Sequence, residues 1–232
     1  MMERRGFMKF CAASAAALAA PGVAADARAR FYSRVKLIDE EGAPLRAATI
    51  PARRNLLFHY PFAATPCFLL NLGRPAACSA SLKTVAGEPY QWTGGVGAGR
   101  SVVAYSAICA HRLAYPTRDI TFISYRPEKS AVNRIGNVIH CCAEHSQYDP
   151  AEGARVLAGP APQPLAAILL DHDSGTDELH AVGTLGGEMF GEFFDKYAFR
   201  LSLEHGAGAR SPVSGACVVQ DLESYSRLRM KC

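Results

Sequence analysis

The sequence has little with which to bind a nucleic acid, span a membrane or turn over a substrate. Its formal net charge is only +4, and the lysines and arginines are scattered. That removes the electrostatic footprint expected of a nucleic-acid binder. No apolar run reaches the roughly 20 residues that a spanning helix needs. After Arg30 there is no repeat, no low-complexity tract and no long polar linker. No glycine-rich nucleotide fingerprint, acid/base pair or nucleophile triad is present, so nothing points to bond chemistry performed by the chain itself. Helical periodicity is weak except over 187–196 and 222–229. General disorder is also excluded, because 49% of residues are apolar and 20% are charged, the balance of a folded protein. At 232 residues, one or two domains with a real core are expected.

Residues 1–25 belong to targeting rather than to the fold. Met1 to Lys9 is basic, Phe10 to Ala20 is an Ala-rich apolar run, and Pro21-Gly22 breaks it before the small residues Val23-Ala24-Ala25. Arg4-Arg5-Gly6-Phe7-Met8-Lys9 resembles a twin-arginine export signal. The run is too short and too poor in Leu and Ile for an anchor, so a cleaved signal and a periplasmic protein are expected. Cleavage removes Arg4, Arg5, Lys9 and Glu3 and lowers the formal charge from +4 to +2. Cysteines stand at 11, 67, 78, 109, 141, 142, 217 and 232, and Cys11 leaves with the signal. Export permits disulfides among the rest. A twin-arginine substrate folds and loads its cofactor before export, so metal-ligand cysteines are permitted as well.

Turn signals recur at short intervals, among them Glu41-Gly42, Gly94-Gly95, Asp149-Pro150, Gly159-Pro160 and Asp173-Ser174-Gly175. Short β-branched and aromatic runs lie between them, at 101–108, 120–125, 137–141 and 154–158, which predicts an antiparallel β protein. The clearest hairpin is 165–171 returning as 178–185. Phe58 to Leu72 is apolar without a clean period and is compatible with one buried strand, two strands, or a strand and a turn.

Chemistry concentrates in two short motifs. Cys109-Ala110-His111 and Cys142-Ala143-Glu144-His145 each follow a strand-like run and set a thiol and an imidazole on one loop. Such N/S donors suit a tetrahedral zinc site. They equally suit a Rieske 2Fe–2S centre, in which two histidines replace two cysteines on one iron and raise the potential. Downstream lie Ser146-Gln147-Tyr148-Asp149-Pro150, Gly153-Ala154-Arg155-Val156-Leu157 and Gly159-Pro160-Ala161-Pro162; upstream lie Gly95-Val96-Gly97 and 102–109. With these, 94–185 resembles the Rieske family, in particular the branch of the cytochrome bc complexes and the arsenite oxidase small subunit. The resemblance implies an all-β Rieske fold, an antiparallel β-sandwich base with a small cluster-binding subdomain. The domain would run 26–232, with the cluster part at about 100–162, base on both sides and a C-terminal tail at 205–232. Cys109 and Cys142 would hold the inner iron, and His111 and His145 the outer one. Ser146 and Tyr148 would hydrogen-bond a bridging sulfide and a cysteine sulfur, although the chain is one residue shorter between His145 and Tyr148 than the family pattern.

Three departures bear on function. The family's loop-to-loop disulfide is absent, because its positions are Ala114 and Glu144. Arg112 follows the first histidine, where the quinol-oxidising branch has an apolar docking residue, and an arginine there suits an acidic partner. The 30 residues between His111 and Cys142 form a longer insert than in the bc type. The resulting reading is a periplasmic electron-transfer protein, or a small oxidoreductase subunit with no substrate site of its own. Its partner would be a larger oxidoreductase subunit or a cytochrome c. A zinc-stabilised secreted binding module and a cytochrome bc subunit are the alternatives. Cys67 with Cys78 and Cys217 with Cys232 are open disulfide pairings, and His140 is the one further histidine close to the motifs.

Overall fold

The computed structural model describes residues 28–131 and 133–232, so the export signal expected at 1–25 lies outside the described residues. The fold is mostly strand, as the turn spacing predicts. Its base is an eight-stranded sheet in the spatial order Gly215–Val218, Ala29–Ile38, Leu179–Leu185, Ala167–His172, Val102–Ser106, Pro66–Asn71, Leu56–His59 and Gln220–Asp221. Neighbouring strands are antiparallel except for Gly215–Val218, which runs parallel to Ala29–Ile38. The two outermost strands are separated in sequence by Val219 alone, so the sheet curls until its edges meet. Inside the curl, Val35, Leu37, Phe58, Leu69, Ala104 and Ile168 form one core.

A second sheet of four antiparallel strands comprises Arg155–Ala158, Ser146–Asp149, Val138–Cys141 and Ile123–Arg126. It shares with the base a core containing Leu57, Phe68, Tyr105, Ile139 and Tyr148. Strands Leu56–His59 and Pro66–Asn71 therefore separate two cores, with Leu57, Phe68 and Leu70 on one side and Phe58, Cys67 and Leu69 on the other. Burial on both faces explains why 58–72 has no alternation, and it resolves as two strands joined by a turn. The hairpin Ala167–His172 with Leu179–Leu185 forms as expected, its turn shaped by the Asp173 carboxylate accepting from the N–H groups of Gly175 and Thr176.

Helix Phe190–Lys196 falls in the segment with helical period, and Leu222–Tyr225 is a single turn within the other. A helix absent from the sequence reading spans Ala198–His205. Phe190, Phe193, Phe194 and Leu201 of the longer helices pack on Ile108, Leu113 and Tyr115. They form a solid backing for the first motif.

Candidate metal centre

Strand Val102–Ser106 runs into Cys109-Ala110-His111, which forms a tight loop. The Cys109 carbonyl accepts from Leu113 N–H at 2.9 Å, and Cys109 N–H donates to the Ala114 carbonyl at 2.9 Å. Leu113 takes a left-handed φ of 60° and turns its side chain into the helix core, where it is not available as a docking contact. The Lys196 ammonium donates to the Arg112 carbonyl at 2.6 Å and ties this loop to the helix behind it.

The second motif is the loop of a hairpin. Strand Val138–Cys141 pairs with Ser146–Asp149 so that Cys141 faces Ser146 and Ile139 faces Tyr148. Side chains alternate along a strand. Ile139 and Cys141 accordingly share the core face with Cys109 and Tyr148, whereas His140 and Cys142 lie on the other side. Residues 142–145 close the hairpin, with His145 at φ 58°. A Cβ on Gly159 would lie 2.6 Å from the His145 carbonyl oxygen and from Ser146 Cα, so the Gly-Pro-Ala-Pro loop rests directly on this backbone.

Cys109, Cys141 and Tyr148 form a buried polar cluster. The Tyr148 hydroxyl accepts from Ala110 N–H at 3.2 Å, which leaves its proton for the Cys109 sulfur at 3.3 Å. The Cys141 thiol is the main influence holding the Cys109 thiol down to about 6. Burial opposes it, while Tyr148 and the N–H groups of His111 and Arg112 assist. Cys141, the donor of the pair, is pushed above the ordinary thiol range by that hydrogen bond and by burial. The site stabilises negative charge on sulfur, as a metal thiolate requires. Two buried polar atoms nearby have no partner, His111 Nδ1 and Ser146 Oγ. Orphaned buried donors and acceptors are costly, and an imidazole nitrogen and a hydroxyl are what an iron–sulfur cluster engages. Cys109, Cys141, His111 and Ser146 therefore fit such a group, whereas the His145 imidazole lies within 4.8 Å of His140 and the Cys232 sulfur, on the other side of the strand.

Cys142, the second thiolate ligand in the sequence reading, is occupied elsewhere. It forms a disulfide with Cys232, with the two Cα atoms 5.6 Å apart. Neither of the open pairings, Cys67 with Cys78 or Cys217 with Cys232, is made. Cys232 Sγ lies 3.5 Å from His140 Nδ1, and the His140 and His145 rings are 5.6 Å apart. Burial, then His145 and Arg126, pushes His140 down to about 4. Among the described residues, His140, His145 and Cys232 are the only three His, Cys or acidic donors within 4.8 Å of one another, and the Cys232 sulfur is committed to the disulfide.

The two loops are joined where the family's disulfide is missing. Arg112 Nε meets Glu144 Oε1 at 3.2 Å. Side-chain exposures of 66% and 39% limit that ion pair to about 1 kcal/mol or less. Arg112 is thus already paired within the chain rather than presented as a free cation.

Among the described residues, no helix is long and apolar enough to cross a membrane. No family model matches the chain. Among solved structures, the chain is similar to the soluble domain of the Rieske protein II (soxF) from Sulfolobus acidocaldarius, at 25% identity, covering 68% of this chain and 82% of that one with a TM-score of 0.46.

Proposed function

We propose that this chain carries a Rieske-type 2Fe–2S cluster and transfers single electrons between partner proteins outside the cytoplasm. The observation that carries this reading is the buried Cys109–Cys141 thiol pair, hydrogen-bonded by Tyr148, at the base of two loops that also bear His111 and His145. In this reading Cys109 and Cys141 hold one iron, and His111 holds the other together with His145, turned from its place beside His140 and Cys232. Cys142 is replaced by its neighbour, because a sulfur in a disulfide is not a thiolate donor. When bound, the cluster supplies one-electron chemistry at a potential raised by its imidazole ligands.

The protein's own residues do the rest. Tyr148 and the loop N–H groups stabilise charge on the Cys109 sulfur. The Ser146 hydroxyl is a second buried donor for the same site. The Gly159–Pro162 loop packs on the His145–Ser146 backbone of the second motif. Zinc is the weaker reading. A tetrahedral site needs four donors converging on one ion, and among the described residues no third His, Cys or acidic donor lies within 4.8 Å of both Cys109 and Cys141. A binuclear cluster needs only a thiolate pair and an imidazole pair, each on its own iron.

Export by the twin-arginine route to the periplasm follows from Arg4-Arg5 and the apolar run after them. A role beside a larger oxidoreductase subunit or a cytochrome c fits better than quinol oxidation. The position after His111 is charged, and Leu113 is buried against the helices. The test is the purified full chain: red-brown colour, two iron and two acid-labile sulfide per protein, and the low-field electron-spin signal of a mixed histidine–cysteine cluster. Zinc without iron in correctly folded protein would overturn the reading. Tyr148→Phe removes the hydrogen bond to the Cys109 sulfur while keeping the ring in the core. The reduced state should lose about 1 kcal/mol, seen in protein-film voltammetry as a lower potential with the cluster retained. An unchanged potential would mean that the hydroxyl does not reach the ligand sulfur.

A further inference from the structure

Residues 226–232 are laid along the insert between the two motifs by a ladder of backbone bonds. Arg227, Leu228 and Met230 donate their N–H groups to the carbonyls of Arg118, Asp119 and Thr121, at 2.9, 3.0 and 3.0 Å. Leu228–Arg229 pairs in parallel with Ile120–Thr121. The Ser130 hydroxyl donates to the Cys232 carbonyl at 3.1 Å. The Arg126 guanidinium spans the Met230 carbonyl and the Cys142 sulfur, the latter at 3.4 Å. The Cys232 sulfur is therefore delivered to Cys142 by ordered structure rather than by a loose tail.

Cys141 ends strand Val138–Cys141 and Cys142 opens the loop that leads to His145, so two sulfurs stand side by side ahead of that histidine. Strand alternation favours Cys141 for the Cys109 side. A loop of four residues tolerates a local shift, so a free Cys142 thiolate would be a rival ligand one residue away. Resting on the cluster reading above, we propose that Cys232 is a positioning residue of the cluster. By holding Cys142 in a disulfide, it withdraws the rival thiol and leaves Cys141 to face Cys109. Bond formation removes two electrons and two protons from the Cys142 and Cys232 thiols. They pass to a disulfide-donating oxidant, and a dithiol reductant returns them.

The experiment uses the cluster-loaded full chain. Cys232→Ser should show a second electron-spin species beside the first, and should release iron to a chelator about 10–100-fold faster, the range for loss of a group that orients a metal ligand. Cys142→Ser/Cys232→Ser lacks both the rival and the cross-link. It should return to a single species with the wild-type spectrum and potential, which a purely structural role for the disulfide would not produce. Wild-type protein treated with a dithiol reductant should behave like Cys232→Ser, and it serves in its place if that variant does not fold. A single wild-type spectrum in Cys232→Ser or in the reduced protein overturns the proposal. So does a persisting second species in the double variant, or loss of its cluster. Absence of a cluster from untreated wild-type protein would instead refute the reading on which the proposal rests.

Discussion

Cys141→Ser should abolish the cluster, and Cys142→Ser should keep it. Cys141 is buried at 1% exposure on the face that holds Cys109 and Tyr148, whereas Cys142 is bonded to Cys232 on the opposite side of the strand. A thiolate is one of only four protein bonds to such a cluster. Its loss should remove the visible spectrum and the electron-spin signal altogether, with iron falling to background in the same preparation. Cys142→Ser removes a cross-link and leaves both sulfur ligands. Iron content near wild type in Cys141→Ser, with none in Cys142→Ser, would restore the assignment given by C-x-x-H spacing.

A second large effect is expected in acid. His59 is enclosed between His205 and Tyr225, with ring centroids 6.1 and 5.7 Å away. Burial first, then the charges of His205 and Arg118, pushes it down to about 4. An unfolded chain would protonate it near 6.5, so between these values the unfolded state binds more protons and stability falls as pH falls. Above about 6.5 the contribution is complete, and below about 4 nothing more is lost. At most, the loss over that window is about 3 kcal/mol. Urea unfolding at pH 7 and pH 4.5 should show a clear drop for the wild type and a smaller one for His59→Gln. Equal drops would place the acid sensitivity in other groups, such as His205.

The sequence reading of the fold succeeded where local chemistry decides it. Asp173-Ser174-Gly175 shapes a turn through its own side chain, and the apolar runs on either side pair antiparallel across it, with one register shift at Leu169–Leu170. It was silent over 58–72, because strands buried on both faces carry no alternation to read. Helix Ala198–His205 was missed because its outward face carries Phe199 and Leu203, at 78% and 71% exposure. Apolar residues on both sides of a helix blur the 3.6-residue period.

At the candidate site, the two motifs, Ser146 and Tyr148 were all legible as a group, and the structure places the motifs on two adjoining loops with Ser146 and Tyr148 on the strand that leaves the second. Motif spacing assigned the second sulfur ligand to Cys142, whereas the reading proposed above takes Cys141. Two signals were nevertheless present. Ile139 and Cys141 stand two apart in a strand, the spacing of residues that share a face. The shortfall of one residue before Tyr148 also vanishes when the second motif is counted from Cys141, which leaves His145 one residue later than the family pattern. The partner of Cys142 lies 90 residues away and could not have been found from local pattern.

The curled sheet also divides the chain into parts that tolerate changes in length and one that does not. Gly215–Val218 is registered on Ala29–Ile38, and two residues later Gln220–Asp221 is registered on Leu56–His59. The residue between them, Val219, is itself bound through its N–H to the Ile38 carbonyl at 2.8 Å. An inserted or deleted residue there must slip one edge or the other, and a one-residue slip turns every side chain of that strand to the wrong face. The described residues of the 127–137 loop belong to no strand and so carry no register to lose. Natural and engineered variation in length should therefore accumulate in that loop and be nearly absent from 215–221, even though neither segment carries a proposed ligand.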